Sequence, residues 1–174
     1  MTTWVALLRA VNVAGKNVIP MAELRALMAD LGHADAATHL QSGNVLFASD
    51  DDGADLGARI SSGIAERFDH DVAVLMRSRD ELAQLIATTP WAEPADSSSG
   101  VVFLSGSIAS GLDTDRFAPD RAHVDGPNVH VDCPGGFGTT KLTVAWLERQ
   151  TGLVGTRRNW KTVQALHDKL EAFE

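Results

Sequence analysis

The sequence has few of the residues that define several protein classes. It contains one cysteine, Cys133, no tyrosine and six prolines, and aromatic residues make up 6% of its 174 residues. A single cysteine excludes an internal disulfide framework. No apolar run approaches the ~20 residues that cross a bilayer, and the first residues lack the basic and apolar stretches of a secretory signal. We therefore expect a cytoplasmic protein without a membrane partner.

Positive charge is also scarce. Fifteen Lys and Arg stand against 23 Asp and Glu, which gives a formal charge of −8. An acidic chain is repelled by phosphate backbones and anionic lipid, so non-specific nucleic-acid binding is disfavoured. The length suits one ordinary domain or two small ones, with a hydrophobic core large enough to fold without disulfides or structural metal ions.

The first part of the chain reads as strand, helix, two strands, helix and strand. The predicted helices rest on Leu24, Leu27, Met28 and Leu31, which follow Pro20, and on Leu56, Ile60, Ile64 and Phe68. The predicted strands cover 3–13, 36–40, 43–48 and 72–76. Residues 1–78 are therefore predicted to have the element order βαββαβ, which is that of a ferredoxin-like half.

The same order recurs further along, which indicates an internal duplication. After a connecting helix over 79–88, the predicted elements are a strand at 100–104, a weak helix at 108–117, a hairpin of 121–125 and 128–132, a helix at 140–151 and a strand at 153–157. A last helix carries Trp160, Val163, Leu166, Leu170 and Phe173 on one stripe. We expect an α+β fold with two tandem ferredoxin-like halves, 1–78 and 79–174, antiparallel sheets and a C-terminal helix.

Four spaced motifs carry a family likeness. They are Arg9 to Asn17, Pro20 to Leu24, Gln41 to Val45, and Thr156 to Trp160. Together they resemble the bacterial family known as domain of unknown function 1697, over essentially the whole chain. The resemblance implies a tandem ferredoxin-like protein, and it implies no activity or catalytic residue. It leaves open whether the protein is an enzyme.

Loops with glycine, basic and amide residues are the candidate binding sites. A phosphate or carboxylate could use backbone N–H groups together with an arginine fork. The candidate ligand-binding residues for such an anion are Arg9, Asn12, Gly15, Lys16, Lys141, Arg157, Arg158 and Asn159. The alternative at each place is structural: Asn159 as a helix cap, the glycine-rich loop before Lys141 as a turn with a threonine cap, and ion pairs around the arginines.

A polar turn, a histidine pair and the single cysteine are further features of possible functional interest. Gln41, Ser42 and Asn44 form a turn that either satisfies itself or makes a polar contact with the other half or with a ligand between halves. We take the strand after this turn to run parallel to the first strand, which places the turn about 20 Å from the first loop. In the predicted hairpin His123 faces His130, which we interpret as a solvated polar face and not a metal site. Cys133 is expected to be a packed, inert thiol. No metal and no cofactor are predicted.

The leading hypothesis is a small-molecule binding module for an anionic ligand. Single-stranded nucleic-acid binding across a sheet face is one alternative, disfavoured because the chain has no tyrosine and no RNA-binding motif. A structural or oligomerisation module is the other. The sequence leaves the ligand, any reaction and the oligomeric state undefined.

Overall fold

The architecture is α+β, with two four-stranded antiparallel sheets and five helices in a computed structural model that describes residues 1–173. The strands are β1 (Thr2–Leu8), β2 (Ala37–His39), β3 (Asn44–Ser49), β4 (Val74–Ser78), β5 (Ser99–Leu104), β6 (Arg121–Asp125), β7 (Asn128–Asp132) and β8 (Gly155–Asn159). The helices are α1 (Met21–Asp30), α2 (Gly53–Phe68), α3 (Arg79–Ala87), α4 (Val144–Thr151) and α5 (Trp160–Glu171).

Both sheets have the ferredoxin-like strand order. The first runs β2-β3-β1-β4 and the second β6-β7-β5-β8, with every neighbouring pair antiparallel. The fold class expected from the sequence is thus confirmed. By contacts the chain divides into a first unit, Met1–Leu82 with the chain from Leu166 onward, and a second unit, Ala83–Ala165. The division predicted between residues 78 and 79 stays a prediction.

The first unit buries one face of its sheet under α1 and α2. Sheet residues such as Leu8 and Phe47 pack with Leu24 and Met28 of α1 and Ile60 of α2. Asp52 caps α2, since its side chain accepts the N–H of Ala54 at 2.8 Å. This core holds the end of β1 and the start of β3 in place.

The second unit has the same strand order as the first, but one of its predicted helices is absent from the described residues. A single 3₁₀ turn, Asp115–Phe117, stands where a helix over 108–117 is predicted. Gly111 weakens a helix there, and Pro119 holds the preceding Ala118 in an extended conformation, ψ 137°. The core is formed by Val102, Val131, Trp146 and their neighbours.

The strand predicted over 72–76 lies at Val74–Ser78. Three other predicted element ends are wrong for local reasons. The strand predicted over 3–13 ends at Leu8, because the chain turns with positive φ at Ala10 and Asn12. The helix predicted from residue 140 begins at Val144, since Thr143 is its cap. The strand predicted over 153–157 lies at 155–159, after Gly152 ends α4 at φ 70°.

None of the helices within residues 1–173 combines the length and apolar character needed to cross a bilayer.

Candidate functional site

The loop between β1 and α1 is held together by the side chain of Asn12. Its amide nitrogen donates to the carbonyl oxygens of Ile19 at 2.9 Å and Gln41 at 2.8 Å. Its amide oxygen accepts the N–H of Ile19 at 2.8 Å. Because the side chain makes three hydrogen bonds to two residues of the protein, the structural role predicted as the alternative explains Asn12. Lys16 and Gly15 of the same loop are exposed.

The turn at Gln41, Ser42 and Asn44 lies beside that loop, so the predicted separation of about 20 Å is wrong. The error came from taking β3 as parallel to β1, whereas the two strands are antiparallel and Leu7 pairs with Asn44. The N–H of Leu8 donates to the carbonyl of Gly43 at 2.9 Å. Asn44 is fully buried and donates to the His39 carbonyl at 2.7 Å. A polar contact of this turn between halves stays a prediction.

Arg157 and Arg158 point to opposite faces of the second sheet. Both lie on β8, where neighbouring side chains alternate between faces. Arg158 is 7% exposed and donates to the Thr156 hydroxyl at 2.7 Å and the Arg157 carbonyl at 3.0 Å. Burial lowers the pKa of Arg158 to about 10. The two arginines therefore do not form one fork on a shared ligand.

Asn159 ends β8 and caps the last helix, as the sequence predicts. Its amide oxygen accepts the N–H of Thr162 at 2.9 Å. Trp160, the first residue of α5, is buried in the core, which confirms its structural interpretation. Because this hydrogen bond uses the side-chain oxygen of Asn159, helix capping explains the residue at this position.

Arg157 lies against the glycine-rich loop of the second unit. Its guanidinium carbon is 4.0 Å from the centre of the Phe137 ring. Partial burial lowers the pKa of Arg157, and the nearby thiol of Cys133 opposes that change. Within residues 1–173 no carboxylate forms an ion pair with Arg157, in contrast to Arg121, which pairs with Asp132 at 2.9 Å. The structure thus brings together two candidates that are distant in sequence, Arg157 and the loop that ends at Lys141.

The loop presents backbone N–H groups and a lysine. In the described chain, the N–H groups of Phe137, Gly138 and Thr139 make no hydrogen bond with other residues. Gly136 has φ 86°, a conformation that glycine adopts without strain. Lys141 is exposed. A small anion could accept from these donors, as in other loops where successive N–H groups converge.

The neighbouring acidic and thiol groups are already engaged. The Thr140 hydroxyl donates to Asp120 and also accepts the N–H of Leu142 at 2.9 Å. Cys133 is buried, and burial raises the pKa of its thiol, so the prediction of a packed thiol is confirmed. Asp120 nevertheless adds negative charge beside Thr140, which repels an anion at that end of the loop.

The β6–β7 hairpin has the predicted register but not the predicted solvation. His123 pairs with His130 and Arg121 with Asp132, as expected for the two-residue turn at Gly126 and Pro127. His130, however, is fully buried, so a solvated polar face is wrong for this residue. In the part of the chain that the structure describes, no group of three or more His, Cys, Asp or Glu is arranged to hold a metal ion.

The sequence reasoning missed Arg77, which is the counterpart of Arg158. Val5 pairs with Arg77 in the first sheet, and Val101 pairs with Arg158 in the second. Each arginine is buried and donates to the carbonyl of the residue before it. The signal that could have found it is the repeated end of the last strand, arginine followed by a capping Ser78 or Asn159.

Comparison with known proteins agrees with the fold and adds no ligand. The family model described as "Protein of unknown function (DUF1697)" matches residues 1–130. A solved structure of the conserved bacterial protein SP0830 from Streptococcus pneumoniae superposes with a TM-score of 0.74 at 22% identity, covering 97% of this chain and 98% of that one. At that identity the likeness shows the fold alone. No match was found among curated proteins.

Proposed function

The chain belongs to the family described as "Protein of unknown function (DUF1697)", and from its own residues we propose that it binds a small anion, a phosphate or a carboxylate, beside Arg157. The ligand accepts hydrogen bonds from the guanidinium and from the N–H groups of Phe137, Gly138 and Thr139. Lys141 adds positive charge at the open side of the loop.

The observation that supports the proposal is that Arg157 is partly buried and forms no ion pair within residues 1–173. A guanidinium that is partly removed from water and has no carboxylate partner is less stable than a paired one. The Phe137 ring below it offsets part of that cost through a cation–π contact. The donor edge of the guanidinium is left for an anion, and charge-assisted bonds are about twice as strong as neutral ones.

Four of the other candidate residues have hydrogen bonds that a structural role explains. Arg9, Gly15 and Lys16 lie in the loop that Asn12 holds together. Asn12, Asn44 and Asn159 each bond to backbone atoms of the protein, and Arg158 bonds to Thr156. These bonds are what a structural interpretation predicts for each of them. We therefore restrict the proposed site to the second unit, at Arg157 and the loop from Gly135 to Lys141.

Nucleic-acid binding across a sheet face has less support. Such binding needs an open sheet with aromatic side chains on its central strands. Here Val5 to Leu8 of β1 and all of β5 are buried, so the central strands offer no open platform.

The test is a thermal-shift titration with inorganic phosphate and with citrate. An anion at 100 times its Kd stabilises the folded protein by roughly 2.7 kcal/mol, and the Tm rises accordingly. Arg157→Ala should abolish this rise. Arg149→Ala, which removes another arginine of the same unit from α4, is the matched control and should retain it. An equal rise in the parent protein and in Arg157→Ala would refute the site.

A further inference from the structure

One position distinguishes the two repeated sheets. In the first sheet, Val5 pairs with Leu46 on one side and Arg77 on the other. In the second, Val101 pairs with His130 and Arg158. His130 therefore occupies the position that Leu46 fills in the first unit. Since the first sheet forms with an aliphatic residue there, the fold does not require an imidazole at this place.

The buried imidazole lacks the partners that a buried polar group normally has. Neither ring nitrogen of His130 makes a hydrogen bond in the described chain, and the side chain is 0% exposed. Leaving such groups unpaired destabilises the folded state. The His123 ring lies 6.3 Å away and the Trp160 ring 6.4 Å away. The nearest carboxylate oxygen is Oδ2 of Asp125, at 3.9 Å from Nε2.

Asp125 is shared with a second partner in the same unit. Its Oδ2 accepts the hydroxyl of Thr88 at 2.9 Å. Thr88 follows α3, and its hydroxyl oxygen also lies 2.9 Å from the carbonyl of Gln84. The hydroxyl has one proton, so it can bond to Asp125 or to Gln84 but not fully to both. Asp125 thus has His130 as an alternative partner, and the Thr88 hydroxyl has the Gln84 carbonyl.

We propose that protonation of His130 moves the Asp125 carboxylate from Thr88 to the imidazolium, and that this frees the end of α3 from the β6–β7 hairpin. The proton comes from solvent and completes the second ring N–H. A movement of about 1 Å brings Oδ2 within hydrogen-bond distance of Nε2. The Thr88 hydroxyl then rotates to the Gln84 carbonyl. No covalent bond changes.

The charged groups around His130 are consistent with its protonation in mildly acidic solution. Burial lowers the pKa of His130, Asp125 opposes that shift, and a protonated His123 reinforces it. Arg158 lies on the same face beyond Val101, two strands from His130. The protonated state is therefore reached below the usual histidine range, and it depends on the carboxylate of Asp125.

The test is an NMR titration of the full chain from pH 8 to pH 5. The ring signals of His130 and the amide signal of Thr88 should move with one common midpoint. Asp125→Asn should lower that midpoint, because the opposing charge is lost. Thr88→Val should raise it, because the carboxylate no longer has a competing donor. Thr89→Val, which changes the adjacent threonine, should leave the midpoint unchanged, since that hydroxyl makes no hydrogen bond within residues 1–173.

His130→Leu places the first unit's own residue in the second unit and should abolish the change at Thr88. The proposal is overturned if Thr88 still responds to pH in His130→Leu, or if Asp125→Asn and Thr88→Val leave the midpoint unchanged. Unfolding of the parent protein before the His130 signals move would overturn it as well, because the folded protein would then have no protonated state.

Discussion

Arg157 and Phe137 form the contact that joins β8 to the glycine-rich loop, with 4.0 Å between the guanidinium carbon and the ring centre. Twenty residues of sequence separate them, so nothing local in the sequence predicts the pair. The contact places a partly buried cation on the ring of a loop whose N–H groups at residues 137–139 make no hydrogen bond in the described chain. It is the feature from which the proposed anion site follows.

The two adjacent arginines should contribute unequally to stability. Arg158→Ala removes hydrogen bonds of a buried cation and should lower the free energy of unfolding by about 1.5–3 kcal/mol. Arg157→Ala should cost less than about 1 kcal/mol, since it removes only a surface cation–π contact. Urea denaturation of both variants in phosphate-free buffer measures the difference. Equal losses would show that Arg157 is structural.

Asn12 should contribute to stability and not to binding. Asn12→Asp keeps the shape but turns a carboxylate oxygen toward the carbonyls of Ile19 and Gln41. Each hydrogen bond lost costs about 1 kcal/mol, and repulsion between the carboxylate and the carbonyls adds to it, so we expect a loss of about 2–4 kcal/mol. The anion-induced rise in Tm should be retained. Loss of that rise in a folded Asn12→Asp protein would show that the first loop takes part in the site.

Gly43 and Gly15 offer a matched pair of substitutions at positive φ. A Cβ on Gly43 would lie 2.6 Å from Val11 and 2.8 Å from Leu8, whereas a Cβ on Gly15 would meet nothing within 4 Å. Gly15→Ala should cost roughly 1 kcal/mol from backbone strain alone. Gly43→Ala should cost about 2 kcal/mol or more, because overpacking is added. Chemical denaturation measures both, and similar losses would contradict the close packing of this turn on β1.

Stability should fall in mild acid. Burial lowers the pKa of His33, His39 and His130, so each is harder to protonate in the folded state than in the unfolded state. Between the lowered pKa and the ordinary value of about 6.5, the unfolded chain binds more protons. The stabilisation is complete above pH 6.5 and is lost as the pH falls below it. Denaturation midpoints at pH 8, 7, 6 and 5 test the direction, and a maximum near pH 5 would contradict it.

The sequence predicts the order of elements well because periodic apolar residues mark each helix and strand. Leu56, Ile60 and Ile64 place α2, and the turn at Gly126 and Pro127 places the β6–β7 hairpin with its register. The register alone does not predict that His130 is buried, because burial depends on what covers the sheet. Pattern alone could not show that a 3₁₀ turn replaces a helix in the second unit.

Predicting the site from the sequence failed where strand direction and face were needed. A parallel β1 and β3 predict that Gln41 lies far from Asn12, whereas the antiparallel pairing brings the two together. Arg157 and Arg158 were grouped because they are adjacent, yet a shift of the strand by two residues puts both on β8, where adjacent residues face opposite ways. Burial and the bond to Thr156 explain Arg158, and the long-range contact with Phe137 distinguishes Arg157.

The most direct measurement is an NMR titration of the full chain with inorganic phosphate at pH 7.5, which follows the Nε–H signal of Arg157. The account predicts that this signal and the amides of Phe137, Gly138 and Thr139 move together and saturate at one Kd, while the Nε–H signal of Arg149 stays in place. Unchanged signals at Arg157 and the loop, or equal non-saturating shifts at both arginines, would contradict an anion site at this position.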